Sequence, residues 1–235
     1  MELLREFCAE NMTLVPNAVA AGARRIELCD NLAVGGTSPS YGVIKAAVDF
    51  ARANDVRIMA MVRPRGGGFT YDAQERHMML DDISCARLLG VDGVVFGCVR
   101  PGENGHAVLD EELARTLVDA AKGSGLGCSA KLPPVQVTFH MAFDALGKAV
   151  QLETLDELAS LGVERVLTHG GPAGTPIAQN VARLRELVAY ANGRIAILPG
   201  GGLTWQNARE VAALVGVREV HGTQIVRLPP TSPLC

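Results

Sequence analysis

Hydrophobic and polar positions alternate along this chain in two different rhythms. Short runs rich in β-branched and other apolar residues begin near Leu4, Arg25, Arg57, Gly93, Gln136, Arg165, Arg194 and Val217, each followed by a polar or glycine-rich turn. Between them lie stretches of helical periodicity over 17–23, 40–52, 73–89, 111–122, 152–161, 178–191 and 204–215. Three of these end alike, in Leu89-Gly90-Val91, Leu161-Gly162-Val163 and Val215-Gly216-Val217. A glycine just beyond the last helical turn lets the chain reverse directly into a strand. Because each crossover carries a helix, the strands are expected to be parallel. The pattern therefore predicts an α/β fold, a parallel (β/α)8 TIM-type barrel forming one domain over 1–235, with the final helix short or missing.

Two segments depart from that rhythm. Residues 123–134 (GSGLGCSAKLPP) form a Gly/Ser/Pro-rich connection longer than most helix-to-strand loops and are expected to be mobile. After Val220-His221-Gly222-Thr223 only a short tail with Pro229, Pro230 and Pro233 remains. That is too little for an eighth helix, so the seam between the last and first strands is expected to be incompletely covered. A second copy of the chain, making a homo-oligomer and most simply a dimer, would cover it.

Polar residues gather at the C-terminal ends of the predicted strands, which in such barrels share one mouth. The third strand runs into Arg63-Pro64-Arg65-Gly66-Gly67, where two guanidinium groups and glycine N–H groups can meet an anion. The same residues can instead make an internal ion pair and a plain turn. On the fifth strand Thr138 and His140 share a face, with Asp144 four residues further on; on the eighth, Glu219, His221 and Thr223 share one, as Glu27 and Cys29 do on the second. Ring closure would direct Glu27, His140, Glu219 and His221 toward one polar interior, with Arg63 and Asp144 as further candidates at the mouth. Such a set can perform acid–base chemistry or form a hydrogen-bonded network without turnover. Arg65, Gly66, Gly67, Gly170, Gly201, Gly202 and Thr223 are the candidate anion contacts, with Thr204 expected to cap the helix after the Gly200-Gly201-Gly202 run. Cys8 and Cys29, near the ends of the first two strands, can hold a soft ion such as Cu(I), or serve only as small buried hydrophobes. No compact Cys/His set offers zinc four ligands.

Composition narrows the picture further. Hydrophobic residues are 48% of the chain and charged ones 20%, which excludes a disordered polymer. The 22 Lys+Arg against 25 Asp+Glu leave a net charge of -3 with no basic run, which argues against a nucleic-acid partner. No window is apolar enough for a membrane span, and Met1 to Glu6 lack the pattern of a signal peptide, so a cytoplasmic protein is expected. The six cysteines stand singly, without a CxxC, and are expected to be reduced thiols.

Several segments in order resemble the CutC family, named for copper homeostasis. They are Arg25-Ile26-Glu27-Leu28-Cys29, Gly35-Gly36-Thr37-Ser38-Pro39-Ser40, Val62-Arg63-Pro64-Arg65-Gly66-Gly67, the run 90–97, Val137-Thr138-Phe139-His140 with Ala142-Phe143-Asp144, Arg165-Val166-Leu167-Thr168 and Glu219-Val220-His221. The resemblance implies a cytoplasmic barrel associated with copper handling, with Cu(I) at Cys8 and Cys29. Gly68 stands where the family usually has Asp, Met141 where it usually has Arg, and His169 where it usually has Ser. Two functions are thus expected to compete. One is Cu(I) binding; the other is an enzyme acting on a small anionic or phosphorylated metabolite at the mouth of the barrel.

Overall fold

A computed structural model describes residues 2–103, 105–124, 132–172 and 174–229, and it is a (β/α)8 barrel. The strands are β1 (Leu4–Glu10), β2 (Arg25–Cys29), β3 (Arg57–Met61), β4 (Gly93–Phe96), β5 (Val99–Pro101), β6 (Ala107–Leu109), β7 (Gln136–Phe139), β8 (Arg165–Thr168), β9 (Ala196–Pro199) and β10 (Glu219–Gly222). Eight of them form one parallel sheet in the order β10-β1-β2-β3-β4-β7-β8-β9, while β5 and β6 make a separate antiparallel hairpin after β4. The last strand pairs with the first over four positions, Leu4 with Glu219 through Phe7 with Gly222, so the sheet itself is continuous at that seam. Among the described residues β9 and β10 share no ladder and are joined beyond the strand ends by the parallel bridge Thr204–Gln224.

The helices are α1 (Val15–Ala20), α2 (Tyr41–Asn54), α3 (Ala73–Leu89), α4 (Glu111–Lys122), α5 (Lys148–Leu161), α6 (Val181–Ala191) and α7 (Ala208–Val215). Gly90, Gly162 and Gly216 take φ of 87°, 84° and 85°, the left-handed conformation their position required. Asp72 and Glu75 close a reciprocal capping box at the start of α3, so that helix begins where its sequence pattern does. Helix α1 starts earlier than expected because Pro16 is compatible with a first turn, and α5 gains a turn over its expected span. Helix α7 starts later, at Ala208: Thr204 sits in the bridge to Gln224, and in the turn that precedes the helix its Oγ1 accepts the Gln206 N–H at 3.3 Å while its own N–H donates to Asn207 Oδ1 at 2.8 Å. Of the long loop 123–134, residues 125–131 lie outside the described residues. No helix among the described residues follows β10, and none is long and apolar enough to cross a membrane.

The strands alternate between two environments. One face packs on the helices through Phe7, Ile26, Leu28, Ile58, Val94, Phe96, Val137, Phe139, Val166 and Val220, all buried, in a continuous apolar layer. Each such side chain contributes roughly 1.5–3 kcal/mol by leaving water. The other face fills the barrel, where Cys8, Cys29, Met59, Met61 and Val95 form a small apolar group apart from that layer. Around them, unusually for a core, stand ionisable side chains.

Candidate functional site

Towards the N-terminal end of the barrel the interior is a belt of charge. Arg25, from β2, meets Glu6 on β1 through its Nε and Glu219 on β10 through Nη1 at 2.7 Å. Arg165, from β8, approaches the same Glu219 at 3.6 Å and also donates to Thr138 Oγ1 at 3.3 Å and Gln136 Oε1 at 2.8 Å. Burial alone would raise the Glu6 carboxyl, but the Arg25 guanidinium and a hydrogen bond from His221 bring it down to about 2. Glu219 shares its face with His221, as alternation required. It lies two residues nearer the N-terminal end, however, and is consumed in this belt rather than lining the mouth.

Above the belt, Cys8, Glu27 and His221 converge. Cys8 Sγ is 3.4 Å and Cys29 Sγ 3.7 Å from Glu27 Oε1, and His221 Nε2 is 3.8 Å from the same oxygen. His221 Nδ1 lies 2.8 Å from Glu6 Oε1, which fixes the ring and turns Nε2 toward Cys8 and Glu27. A hydrogen bond from Cys29 lowers the Cys8 thiol to about 5 against the opposing effect of burial. Burial pushes Glu27 well up, so its carboxyl holds a proton more readily than an exposed one. Burial would neutralise His221, but Glu27, Cys8 and Glu6 around it hold its affinity for a proton well above the ordinary value. Glu27 Oε2 is buried without a hydrogen-bond partner among the described residues.

This cluster is the floor of a cavity of about 580 Å³ at the mouth, with Leu32, Val34, Met61, Phe69, Met141 and Leu167 among its walls. Arg63, His140, Gly201, Gly202 and Thr223 also line it. Arg63 is buried, yet among the described residues its guanidinium pairs with no carboxylate. Nη1 donates to Val34 O (3.0 Å) and Gly36 O (2.8 Å), Nη2 to Gly67 O (2.7 Å), and the group lies 5.0 Å from the centre of the Phe69 ring. The loops after β2 and β3 are thereby tied together. His140 accepts the Ala142 N–H at Nδ1 (3.1 Å), which leaves the proton of the neutral ring on Nε2, an atom buried without a partner. Burial and the Arg63 charge bring its pKa down to about 3. Gly97 makes room for the ring, since a Cβ there would sit 2.4 Å from His140 Nδ1.

Other expected contacts are placed elsewhere. Asp144 accepts from Thr168 Oγ1 and from the His169 N–H at 2.8 Å, so its carboxylate pins the loop after β7 to the loop after β8. Arg65 points outward into an ion pair with Glu75, and Gly66 packs on Val34, where a Cβ would meet its side chain at 2.7 Å. Gly67 receives Arg63, and Gly170 packs on Leu184. None of these five residues lines the cavity. His169 places its ring nitrogens 3.1 Å from Gly200 O and 2.9 Å from Thr175 O, bracing the rim, whereas Met141 does face the cavity. Sequence reasoning passed over Glu6, Arg25, Met61 and Phe69. Glu6 was recoverable from its i, i+2 relation to Cys8 on one strand face.

The sequence profile of the CutC family matches residues 3–226. The chain belongs to the CutC family. The CutC protein of Enterococcus faecalis is 50% identical over 224 residues, spanning 95% of this chain and 100% of its own length. The mouse relative, named copper homeostasis protein cutC homolog, is 37% identical over 218 residues, covering 93% of this chain and 72% of itself. The crystal structure of CutC from Streptococcus agalactiae superposes with a TM-score of 0.85 at 42% identity, covering 95% of this chain and 100% of that one. A deoxyribose phosphate aldolase from Aeropyrum pernix matches at TM-score 0.65 and 13% identity over 94% of this chain and 84% of its own, a likeness of fold alone.

Proposed function

We propose that this CutC-family chain handles copper by binding Cu(I) through the thiols of Cys8 and Cys29 at the floor of the mouth cavity. The observation that carries this reading is the convergence of the two thiols on one carboxylate, at 3.4 and 3.7 Å, with Cys29 hydrogen-bonded to Cys8. Soft sulfur ligands select Cu(I), and the thioethers of Met61 and Met141 line the same cavity. The hydrogen bonds from Cys29 and His221 favour the ionised form of Cys8, which is the form a metal ion takes. The cytoplasm, which keeps thiols reduced, is the compartment this chemistry needs. The test is an anaerobic Cu(I) titration against a chromophoric competitor. The Cys8→Ser, Cys29→Ser double variant is expected to lose the bound ion, and unchanged stoichiometry would reject the site.

A second reading rests on the cavity itself. Its roughly 580 Å³ lies within the range of small-molecule sites, and the unpartnered His140 Nε2–H is a donor awaiting an acceptor. Gly201, Gly202 and Thr223 lie across the rim on the two strand loops that hold phosphate in many barrels. On this reading the chain is an enzyme for a small anionic or phosphorylated metabolite. Inorganic phosphate and sugar phosphates should then raise the melting temperature, less so in His140→Phe; no response to any of them rejects it.

A further inference from the structure

The geometry points to a second metal site in the same floor: Cys8, Glu27 and His221 form a three-ligand site for a borderline divalent cation, of which Zn²⁺ is the type. Its fourth coordination position opens into the mouth cavity, where an oxygen-donor small molecule or water would complete it. The site shares Cys8 with the proposed copper site and does not depend on that reading.

Zn²⁺ binds sulfur at about 2.3 Å, imidazole nitrogen at about 2.0–2.1 Å and carboxylate oxygen at about 2.0–2.2 Å in tetrahedral sites, so adjacent ligand atoms sit roughly 3.3–3.7 Å apart. Here Cys8 Sγ and Glu27 Oε1 are 3.4 Å apart and His221 Nε2 and Glu27 Oε1 3.8 Å apart. One ligand atom from each of the three residues fits within a common span of 4.8 Å. Two edges of the tetrahedron are therefore close to the required length before any ion arrives, and the Cys8–His221 edge lies within 4.8 Å.

Three further features match a metal centre better than a packed core. Glu27 keeps one buried oxygen, Oε2, without a hydrogen-bond partner among the described residues, an expense that a cation would remove. His221 gives Nδ1 to Glu6 and presents Nε2 to the cluster, the arrangement in which a carboxylate orients a metal-binding imidazole. Glu6 is in turn held by Arg25, so the second layer is rigid. All three ligands line the cavity, which supplies both an entry path and the open position that separates catalytic from purely structural zinc sites.

Ligand chemistry divides the two ions. A carboxylate and an imidazole with a single thiolate suit Zn²⁺, whereas Cu(I) favours paired sulfurs and gains little from Glu27. Cys29 is therefore the discriminating residue for copper and Glu27 for zinc.

The test uses the full chain, stripped with a chelator and titrated with Zn²⁺ against a chromophoric competitor, and separately with Cu(I). Glu27→Gln is expected to weaken Zn²⁺ by at least about tenfold and by more than it weakens Cu(I), and Cys29→Ser to weaken Cu(I) by more than Zn²⁺; Glu6→Gln should weaken Zn²⁺ by about tenfold to a hundredfold. If Glu27→Gln does not fold, Co²⁺ bound to the unaltered chain decides. The inference requires a tetrahedral spectrum with charge transfer from one thiolate and bands that shift when azide is added. Absence of Zn²⁺ binding, a site needing both cysteines and indifferent to Glu27, or a Co²⁺ spectrum of two thiolates would overturn it. Failure of Cu(I) to bind while Zn²⁺ behaves as expected would overturn only the copper reading.

Discussion

Acidification should destabilise this protein through one buried imidazole, and the size of the effect can be worked out. His140 lies against Gly97 and the Phe69 ring, near Arg63, and its Nδ1 accepts the Ala142 N–H. Burial and the Arg63 charge disfavour its protonated form, lowering its pKa from 6.5 to about 3. The unfolded chain therefore binds a proton at a pH where the folded chain does not. The associated stability is fully present above about pH 6.5 and is lost progressively as the pH falls through about 3. Between pH 7 and pH 5 the loss comes to about 2 kcal/mol, from roughly 1.4 kcal/mol per unit of pKa separation that opens. The assay is urea unfolding of the native chain and of His140→Gln at half-unit pH steps from 7.5 to 4.5. Other titrating groups contribute to both curves and cancel in the difference. The native chain should lose about 2 kcal/mol relative to the variant by pH 5. Curves that run parallel within about 0.5 kcal/mol would show that His140 takes up its proton in the fold and that the burial argument is wrong.

Other consequences follow from single contacts. Glu6→Ala leaves the buried Arg25 with Glu219 as its carboxylate partner and removes the orienting partner of His221, and should cost about 3 kcal/mol in denaturant unfolding. Arg63→Ala removes three carbonyl contacts that tie the loops after β2 and β3; a loss of about 3 kcal/mol is expected, with faster proteolysis between Leu32 and Phe69. Gly93→Ala would set a methyl group 2.1 Å from Met59 Cε and 2.8 Å from Gln136 O, so β4 must shift against its neighbours. A penalty of about 1–3 kcal/mol in thermal or urea unfolding is expected, and a neutral effect would mean that Met59 repacks freely.

The fold was largely legible because its signals are local and repeated. The Leu-Gly-Val endings at 90 and 162 and the Val-Gly-Val ending at 216 mark the same helix-to-strand turn, and the structure realises all three. The β5–β6 hairpin was not read because three-residue strands show no period to detect. Helix α7 was given too early a start because Thr204 makes the bonds of a cap, whereas a turn and the bridge to the distant Gln224 separate it from the first helical residue, Ala208. Within the site, alternation correctly placed Glu27, Cys29, His140 and His221 inside the barrel, and Cys8 was found from its position near the end of the first strand. It specifies a face and not a depth, which is why Glu219 was expected at the mouth but lies in the charged belt. Arg65 and Asp144 were assigned by position in their loops, and their partners, Glu75 and the Thr168–His169 backbone turn, become apparent only once the chain has folded.

The belt around Glu219 also bears on how the ring stays shut. Strands β9 and β10 share no ladder of backbone bonds, yet Arg165 on β8 reaches past β9 to the carboxylate on β10, while the Thr204–Gln224 bridge fastens the opposite end. At the weakest point of the sheet, closure is thus carried by side-chain charge at one end and a lone backbone bridge at the other. The β9–β10 flank is accordingly where this barrel would first part, letting solvent in from the end opposite its mouth.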